Sequence, residues 1–242
     1  MKRSFHDVLV HGLEEVRSAL EQGPLILAPN HVSWWDPLAL VLVDQALDAD
    51  GYGLMATESL AELTFFRRLG ALPLDRSHPR ASVKDLERAA RYLDRARRFV
   101  AIFPSGRQAP SHFPLQFRAG ALWLHTKSAV DVVPLAFRYE FLESPKPTLL
   151  LSFGPPLILG APRAQALSAL EEGVERQLAH IDAQLLAFVE TKSSPPRLGF
   201  RSLLYPEARA VRHGRVPRLS RFLSWMTALP RTRAARLPEP PR

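Results

Sequence analysis

Short apolar runs alternate with longer amphipathic segments along most of the chain, and no other sequence feature constrains the fold as much. An apolar run of about four to eight residues is typical of a buried strand, whereas apolar residues three and four apart are typical of a helix. The predicted strands span residues 24–28, 51–56, 71–74, 99–103, 131–139 and 148–153, and the predicted helices span 37–47, 58–69, 82–98, 117–127 and 163–190. Because strands that alternate with helices pair in parallel, the sequence predicts an α/β fold with a largely parallel sheet covered by helices.

The loop after the first predicted strand carries the strongest candidate for chemistry. It reads Asn30-His31-Val32-Ser33-Trp34-Trp35-Asp36-Pro37, and ligands bind such sheets at the carboxyl ends of the strands. Pro37 disfavours helical geometry at Asp36, which places Asp36 at the N-cap and allows its carboxylate to turn back onto His31. A carboxylate on one imidazole nitrogen leaves the other nitrogen free to accept a proton. This spacing predicts a general-base pair, although a structural histidine beside a capping aspartate would produce it too.

Charge is distributed unevenly along the chain. The formal net charge is +8, and residues 197–242 contain eleven Arg against two Glu, a balance of +9 that leaves −1 for residues 1–196. We therefore predict a folded domain over residues 1–192 and a basic, amphipathic C-terminal tail over residues 193–242. Arginine mixed with aromatic residues suits an anionic membrane surface, while a solvated tail or a tail docked on the domain is the alternative. No nucleic-acid-binding motif is present, so nucleic acid is not an expected partner.

Cysteine and long apolar runs are both absent from the sequence. Zero cysteines exclude disulfides, thiolate metal sites and a cysteine nucleophile, and they fit a reducing cytoplasm. No apolar run approaches the roughly 18 residues that span a bilayer. We expect a cytoplasmic enzyme-sized domain that does not cross a membrane.

Four short motifs resemble those of the glycerolipid acyltransferase family, which includes the lysophosphatidic acid acyltransferases. In chain order they are Asn30-His31-x4-Asp36, Gly70-Ala71-Leu72-Pro73-Leu74-Asp75-Arg76, Phe103-Pro104-Ser105-Gly106-Arg107 and Val132-Val133-Pro134-Leu135-Ala136. The resemblance implies an α/β acyltransferase that takes a fatty acyl group from acyl-CoA or acyl-carrier protein. It implies a lipid hydroxyl as acceptor, and a location peripheral to the inner, cytoplasmic face of a membrane.

The resemblance also implies which residues form the site. It assigns catalysis to His31 and Asp36. It assigns substrate binding to residues of the first three motifs, namely Asn30, Asp75, Arg76, Phe103, Pro104, Ser105, Gly106 and Arg107. An arginine such as Arg76 can hold a phosphate or a headgroup through two hydrogen bonds, although an ordinary surface ion pair is the alternative. No metal and no bound cofactor are expected, because the thioester donor is a co-substrate.

The third motif departs from the family pattern. Ser105 stands where the family has Glu, and Arg107 lies one position earlier than the family's Arg. In relatives that Glu and Arg help to position a glycerol phosphate, so we expect a neutral hydroxylated lipid to be the better acceptor. The alternative is a phosphate-bearing acceptor held by Arg76, Arg107 and Arg118. Residues 136–142 resemble a subgroup that acylates glycolipids or carotenoid glycosides.

Two further functions compete with acyl transfer. A serine hydrolase would also use a His–Asp pair, but the chain lacks the Gly-x-Ser-x-Gly turn that presents such a serine. A non-catalytic lipid-binding or membrane-adaptor protein on the same fold, with activity lost at Ser105, is the alternative from a different class. Release of thiol from an acyl thioester would separate an enzyme from a binder.

Overall fold

Eight strands form one sheet in the computed structural model, which describes residues 1–142, 144–160, 162–191 and 199–205. The strands are β1 (Asp7–His11), β2 (Leu25–Pro29), β3 (Asp50–Ala56), β4 (Ala71–Leu74), β5 (Arg98–Ala101), β6 (Val132–Glu140), β7 (Thr148–Phe153) and β8 (Arg201–Ser202). The helices are α1 (Leu13–Gln22), α2 (Asp36–Leu47), α3 (Thr57–Glu62), α4 (Pro79–Ala90), α5 (Gly120–Ser128) and α6 (Arg163–Thr191), with a 3-10 helix at Thr64–Leu69. The predicted α/β class is confirmed.

The sheet is mostly parallel, as the alternation of strands and helices predicts. The strand order is β4-β3-β5-β2-β6-β7-β1-β8. Only the β6–β7 and β1–β8 pairs are antiparallel among the described strands. All five residues of β2 are buried, because helices cover both faces of the sheet at its centre. The neighbouring strands β4, β3, β5, β2 and β6 therefore present their carboxyl ends at one edge.

One face of the sheet packs on α4, α5 and the first half of α6. The contact forms a single buried cluster that includes Ile26, Val100, Leu86, Leu122, Leu170 and Val174. The helices α1 and α2 bury a separate set of apolar side chains, which comprises Val16, Leu20, Val43 and Leu47. The core therefore holds β2 on both faces and α2 on its buried face, and these two elements carry the ends of the short loop between them.

Three predicted helices were wrong in their bounds. The one predicted over 117–127 spans Gly120–Ser128. The segment 58–69 divides at Leu63, whose ψ of 58° interrupts the hydrogen-bond pattern and separates α3 from the 3-10 helix. The helix predicted over 82–98 starts at Pro79, because proline at the first position suits a helix start. It ends at Ala90. Ser82 lies inside α4, and its hydroxyl donates to the Asp75 carbonyl at 2.6 Å.

Three elements were not predicted, namely β1, α1 and β8. The strand β8 lies in the segment that we assigned to the tail, and it pairs with β1 while Phe200 and Leu204 are buried. Residues 199–205 thus belong to the same compact unit as the domain, and the remainder of the predicted tail lies outside the described residues. Within the described parts of the chain, no helix has the length and apolar character needed to span a membrane.

Candidate active site

His31 and Asp36 form a hydrogen-bonded pair in the loop between β2 and α2. The His31 Nδ1 lies 2.7 Å from the Asp36 Oδ2, and the same oxygen accepts the backbone N–H groups of Val32 at 2.8 Å and Ser33 at 2.9 Å. Asp36 is the first residue of α2 and is fully buried, whereas the side chain of His31 keeps 17% exposure. Because a carboxylate only accepts, Nδ1 carries the proton, and in the neutral imidazole Nε2 is then the nitrogen that can accept one. The structure therefore brings together the two residues that the sequence predicts as a pair.

Tyr139 completes the surroundings of Asp36, and sequence analysis assigned no role to it. Its hydroxyl donates to the Asp36 Oδ1 at 2.6 Å. Burial and the neighbouring Asp36 raise the pKa of the Tyr139 hydroxyl, so it remains a donor. A weak signal was available, since Leu135, Phe137 and Tyr139 alternate along β6 and share one face of the strand. That pattern indicates the face of the sheet but not the residue that Tyr139 meets.

Asn30 connects the loop to the sheet rather than to open space. It is 2% exposed. Its side-chain N–H donates to the Phe137 carbonyl at 3.1 Å, and its side-chain oxygen accepts the Phe137 N–H at 2.7 Å. The amide group thus continues the pairing of β2 with β6 for one more residue. This placement favours a positioning role for Asn30 over the predicted contact with substrate.

The third motif forms a wall beside His31. The Phe103 ring stacks on the imidazole with a centroid distance of 4.2 Å and an interplanar angle of 28°. Pro104 is buried, and its carbonyl accepts the Arg118 N–H at 2.9 Å. Ser105 donates through its hydroxyl to the Arg107 carbonyl at 2.9 Å, so its polar group is satisfied within the turn. Phe103 therefore contacts the dyad directly, and the rest of the motif shapes the turn around it.

Arginine side chains converge on Gly106, which has a φ of +66°. The Arg76 guanidinium donates to the Gly106 carbonyl. A side chain at Gly106 would begin 3.6 Å from both Arg76 and Arg118, which places the two arginines next to each other. Among the described residues, none of the salt bridges involves Arg76, Arg107 or Arg118. This end of the site consequently carries positive side chains that form no salt bridge within the described part of the chain.

Asp75 points into its own turn. Its carboxylate accepts from the Ser77 hydroxyl at 2.6 Å and from the Ser77 N–H at 2.8 Å. The Ser77 hydroxyl and N–H lower the pKa of Asp75 from its ordinary value. The buried carboxylate of Asp85 in turn accepts the Asp75 N–H at 2.9 Å. These bonds hold the turn that presents Arg76, and they occupy the carboxylate that the sequence predicts as substrate-binding.

A cavity of about 400 Å³ lies between the sheet and α2, and His31 lines it. The lining is mainly apolar, with Arg76 and Arg107 on it near His31 and Asp44 on it farther along α2. From Pro37 to Asp44 the helix rises about 10 Å at roughly 1.5 Å per residue. The Asp44 carboxylate accepts the Gly51 N–H at 2.7 Å, and desolvation raises its pKa to about 6. The cavity thus runs from a charged end at the dyad to a mainly apolar end, where Asp44 is the one carboxylate among the described residues on the lining.

Metal chemistry has no evident site in the part of the chain that the structure describes. No group of three or more His, Asp or Glu side chains there could hold a metal ion. The arrangement of His31, Asp36 and the cavity instead suits proton transfer beside an apolar chain.

Comparison with known proteins identifies the family. A sequence model of the acyltransferase family matches residues 7–138, which is more than half of the chain, and the chain therefore belongs to the acyltransferase family. Its fold is similar to that of the 1-acyl-sn-glycerophosphate (LPA) acyltransferase PlsC from Thermotoga maritima, with a TM-score of 0.50 and 20% sequence identity over 70% of this chain and 71% of that chain. The predicted resemblance to the glycerolipid acyltransferases is confirmed. The protein is an acyltransferase with the α/β fold of that group.

Proposed function

We propose that the protein transfers a fatty acyl group from a thioester donor, acyl-CoA or acyl-carrier protein, to a hydroxyl of a lipid acceptor. One observation carries this proposal: His31 has its Nδ1 held by the buried Asp36, and it lines a mainly apolar cavity of about 400 Å³. A general base needs a free ring nitrogen of fixed tautomer, and a fatty acyl chain needs apolar walls. Both requirements meet at His31.

In the proposed mechanism, His31 acts as a general base without a covalent enzyme intermediate. The Nε2 removes the proton of the acceptor hydroxyl while the oxygen forms a bond to the thioester carbonyl carbon. The C–S bond then breaks, and the imidazolium returns the proton to the leaving thiolate. Asp36 holds the ring and stabilises its positive charge, and backbone N–H groups or basic side chains offset the charge on the carbonyl oxygen.

The cavity is the proposed place of the donor's acyl chain. Its walls come from one face of α2, from β3 and from the 3-10 helix, and they include Leu40, Val41, Leu54, Met55, Phe66 and Leu69. Burial of each methylene of an acyl chain contributes about 0.8 kcal/mol, so such walls favour a chain over a polar headgroup. The carbonyl end of the chain then lies at His31, where the reaction takes place.

The acceptor is proposed to be a neutral hydroxylated lipid, such as a glycolipid. Two observations support it. The carboxylate that relatives place in the third motif is replaced by Ser105, and Arg76 already donates to the Gly106 carbonyl. A sugar hydroxyl needs only neutral hydrogen bonds, whereas a phosphate needs charged donors to offset its desolvation. The positive charge of Arg76, Arg107 and Arg118 supports the second candidate, a phosphate-bearing acceptor such as lysophosphatidic acid.

A non-catalytic lipid-binding protein is the competing function, and the dyad argues against it. Loss of activity would remove the need to bury the Asp36 carboxylate, which is expensive unless its hydrogen bonds are made. That carboxylate nevertheless has four donors around it, namely His31, Val32, Ser33 and Tyr139. The change at Ser105 leaves this network intact.

Thioester turnover is the direct test of the proposed function. The purified full-length protein is incubated with mixed acyl-CoA and acyl-carrier-protein donors and a crude lipid extract. Release of thiol is followed by absorbance, and the acylated lipid is identified by mass spectrometry. An enzyme releases thiol only when acceptor lipid is present, while a binder releases none above background with any donor.

The location is proposed to be the cytoplasmic, inner face of a membrane, to which the basic tail attaches the protein. Truncation after Glu207 removes nine Arg and one Glu, a net charge of +8, and leaves the compact unit Met1–Glu207. Attraction of a basic residue to an anionic surface contributes about 1 kcal/mol and is screened by salt. The truncated protein should therefore cosediment less with anionic vesicles than the full chain does, with the largest difference at low salt.

A second truncation serves as the control for the first. Ending the chain after Lys192 also removes β8 with Phe200 and Leu204, each of which contributes about 1.5–3 kcal/mol by its burial. That protein should unfold at a lower denaturant concentration than the one that ends at Glu207. Equal vesicle binding by the full chain and by the truncation at Glu207 would contradict the proposed role of the tail.

A further inference from the structure

We infer that Tyr139 is a positioning residue of the reaction, whose hydroxyl holds the outer oxygen of Asp36 and thereby sets the pH range in which His31 can act as a base. This inference rests on the proposed general-base function of His31. It concerns a residue one position beyond the segment 7–138 that the acyltransferase family model matches. No motif assigns it a role.

The two oxygens of Asp36 have different partners. Oδ2 accepts three hydrogen bonds from the loop itself, from His31, Val32 and Ser33. Among the described residues, the one donor to Oδ1 is the Tyr139 hydroxyl at 2.6 Å, which comes from a residue 103 positions later in the chain. The loop alone therefore supplies hydrogen bonds to Oδ2 only. The hydrogen bond to Oδ1 comes from the sheet, through Tyr139 of β6.

The sheet holds Tyr139 in place for this contact. In β6, Leu135 pairs with Pro29 at the end of β2, and the strand continues beyond that point to Glu140. Tyr139 pairs with Leu149 of β7, and its ring packs on Phe5 with a centroid distance of 6.0 Å. Because the strand and the ring packing fix the side chain, the hydroxyl is already placed when the reaction begins. Donors that need no reorganisation stabilise charge most effectively.

Few other charged groups reach this contact. The titratable groups of the cluster are His31 on the loop, Asp36 on α2 and Tyr139 on β6. The N-terminal segment contributes the apolar ring of Phe5. Arg138 and Glu140 alternate with Tyr139 on β6 and so point to the opposite face, where Arg138 pairs with Asp182 of α6. Removal of the hydroxyl consequently changes the surroundings of the dyad and of nothing else that titrates.

Without Tyr139, the negative charge on Asp36 would be less stabilised. A carboxylate oxygen that is buried without a donor bears its desolvation penalty uncompensated. Hydrogen bonds to the charged form of an acid favour that form, so their loss makes the dyad bind its proton at higher pH. The base form of His31 would then be available over a narrower range, and the imidazole would be less firmly oriented. Both effects act on the chemical step and not on the binding of the donor chain.

The test is Tyr139→Phe in the full-length protein, with thiol release measured over pH. The phenylalanine keeps the ring packing and removes only the hydroxyl. We expect kcat to fall about 10- to 100-fold, the loss typical of a hydrogen bond to a charged group. The KM for the donor should change less than threefold, which is roughly 0.6 kcal/mol. The acid limb of the kcat/KM profile should move to higher pH than in the wild type.

Three comparisons separate this inference from a structural role and from the general-base proposal. Tyr92→Phe is the matched control, because the Tyr92 ring packs on Tyr52, with a centroid distance of 4.3 Å, and not on the dyad. If the role of Tyr139 were purely structural, Tyr139→Phe would lower the melting temperature without moving the acid limb of the kcat/KM profile. A fluorinated tyrosine at position 139, which is a stronger donor, should move the acid limb down. His31→Ala in the same assay tests the general base itself.

An NMR measurement tests Tyr139 independently of turnover. The proton on His31 Nδ1, identified by its absence in His31→Ala, should shift in Tyr139→Phe and stay in place in Tyr92→Phe. An unchanged acid limb together with an unchanged Nδ1 proton would overturn the role of Tyr139. Full activity of His31→Ala would overturn the general-base proposal instead. If Tyr139→Phe fails to fold, the fluorinated protein alone decides, and an unmoved acid limb there overturns the inference.

Discussion

The helix α2 carries an aspartate at each end of the cavity, and the two aspartates have opposite surroundings. Asp36 is fully buried and has four hydrogen-bond donors around it. Asp44 is partly buried and accepts one backbone N–H, from Gly51 at 2.7 Å. A buried carboxylate with a full set of donors can act as a fixed negative charge, whereas one with a single donor gains a proton more readily. The difference separates a charged end, where we place the chemistry, from an apolar end, where we place the acyl chain.

The largest effect that this comparison predicts is on turnover at the charged end. His31→Ala should lower kcat about 10²- to 10⁴-fold, because a general base contributes that much. The measurement is thiol release under saturating donor, together with a circular dichroism spectrum to verify the fold. The matched control is His6→Ala, since His6 is exposed and belongs to none of the four motifs. Normal turnover by a folded His31→Ala protein would mean that the two ends of the cavity do not differ in the proposed way.

The next effect is on stability, and it too belongs to the charged end. Asp36→Asn replaces one carboxylate oxygen by an amide N–H₂ that cannot accept, so at least one of the four hydrogen bonds to the carboxylate is lost. Breaking a buried charged network typically destabilises a protein by about 3–5 kcal/mol. The free energy of unfolding is measured in urea, with the exposed Asp131→Asn as control. A loss no larger than that of the control would show that the network around Asp36 adds no stability.

Much of the charged end could be predicted from sequence, because its geometry is local. Pro37 and the short spacing between His31 and Asp36 constrain the loop on their own, and the sheet edge follows from the alternation of strands and helices. Asp36 was expected as an N-cap and lies one residue inside the helix, yet its carboxylate still reaches His31. Local chemistry and backbone restriction were enough for this part.

What the sequence did not predict depends on contacts between distant parts of the chain. Tyr139 meets Asp36 because β6 lies beside β2 and is longer, and no pattern within either strand encodes that register. The pairing of the Asn30 amide with the Phe137 backbone was likewise not predicted, and the contact of Asn30 with substrate stays a prediction. The strand β8 was assigned to a tail because its composition is basic, while two buried side chains decide its place. Long-range pairing and burial override local propensity in each case.

A moderate effect is expected from the arginines beside the charged end, and it depends on the acceptor. If the acceptor carries a phosphate, Arg76→Ala and Arg107→Ala should each raise the KM for lysophosphatidic acid about 10- to 100-fold, as expected for a charged hydrogen bond. If the acceptor is a neutral glycolipid, as we propose, each variant should change its KM by less than about fivefold. Steady-state kinetics with both purified acceptors makes the comparison.

The control for these variants is Arg163→Ala, at the exposed start of α6. It removes one positive charge from the protein without touching the cavity, so it reports the effect of net charge alone. Efficient turnover of lysophosphatidic acid by the wild type, lost in Arg76→Ala and kept in Arg163→Ala, would contradict the neutral acceptor. It would also extend the charged end of the cavity to include a phosphate site.

The smallest effect is expected at the apolar end, from Asp44→Asn, and it should appear as a change in the pH dependence of stability. Desolvation raises the pKa of Asp44 from 3.8 to about 6 in the folded protein. The folded state therefore holds this proton more tightly than the unfolded chain, and the free energy of unfolding falls as pH rises from about 4 to about 6. Asparagine cannot titrate and still accepts the Gly51 N–H, so the variant avoids that loss. The free energy of unfolding of the variant, relative to that of the wild type, should increase by about 1–3 kcal/mol between pH 4 and pH 7.5. It is measured by urea unfolding at both pH values. Asp131→Asn should gain nothing over the same interval, and an equal gain by both variants would mean that Asp44 is no more desolvated than a surface aspartate.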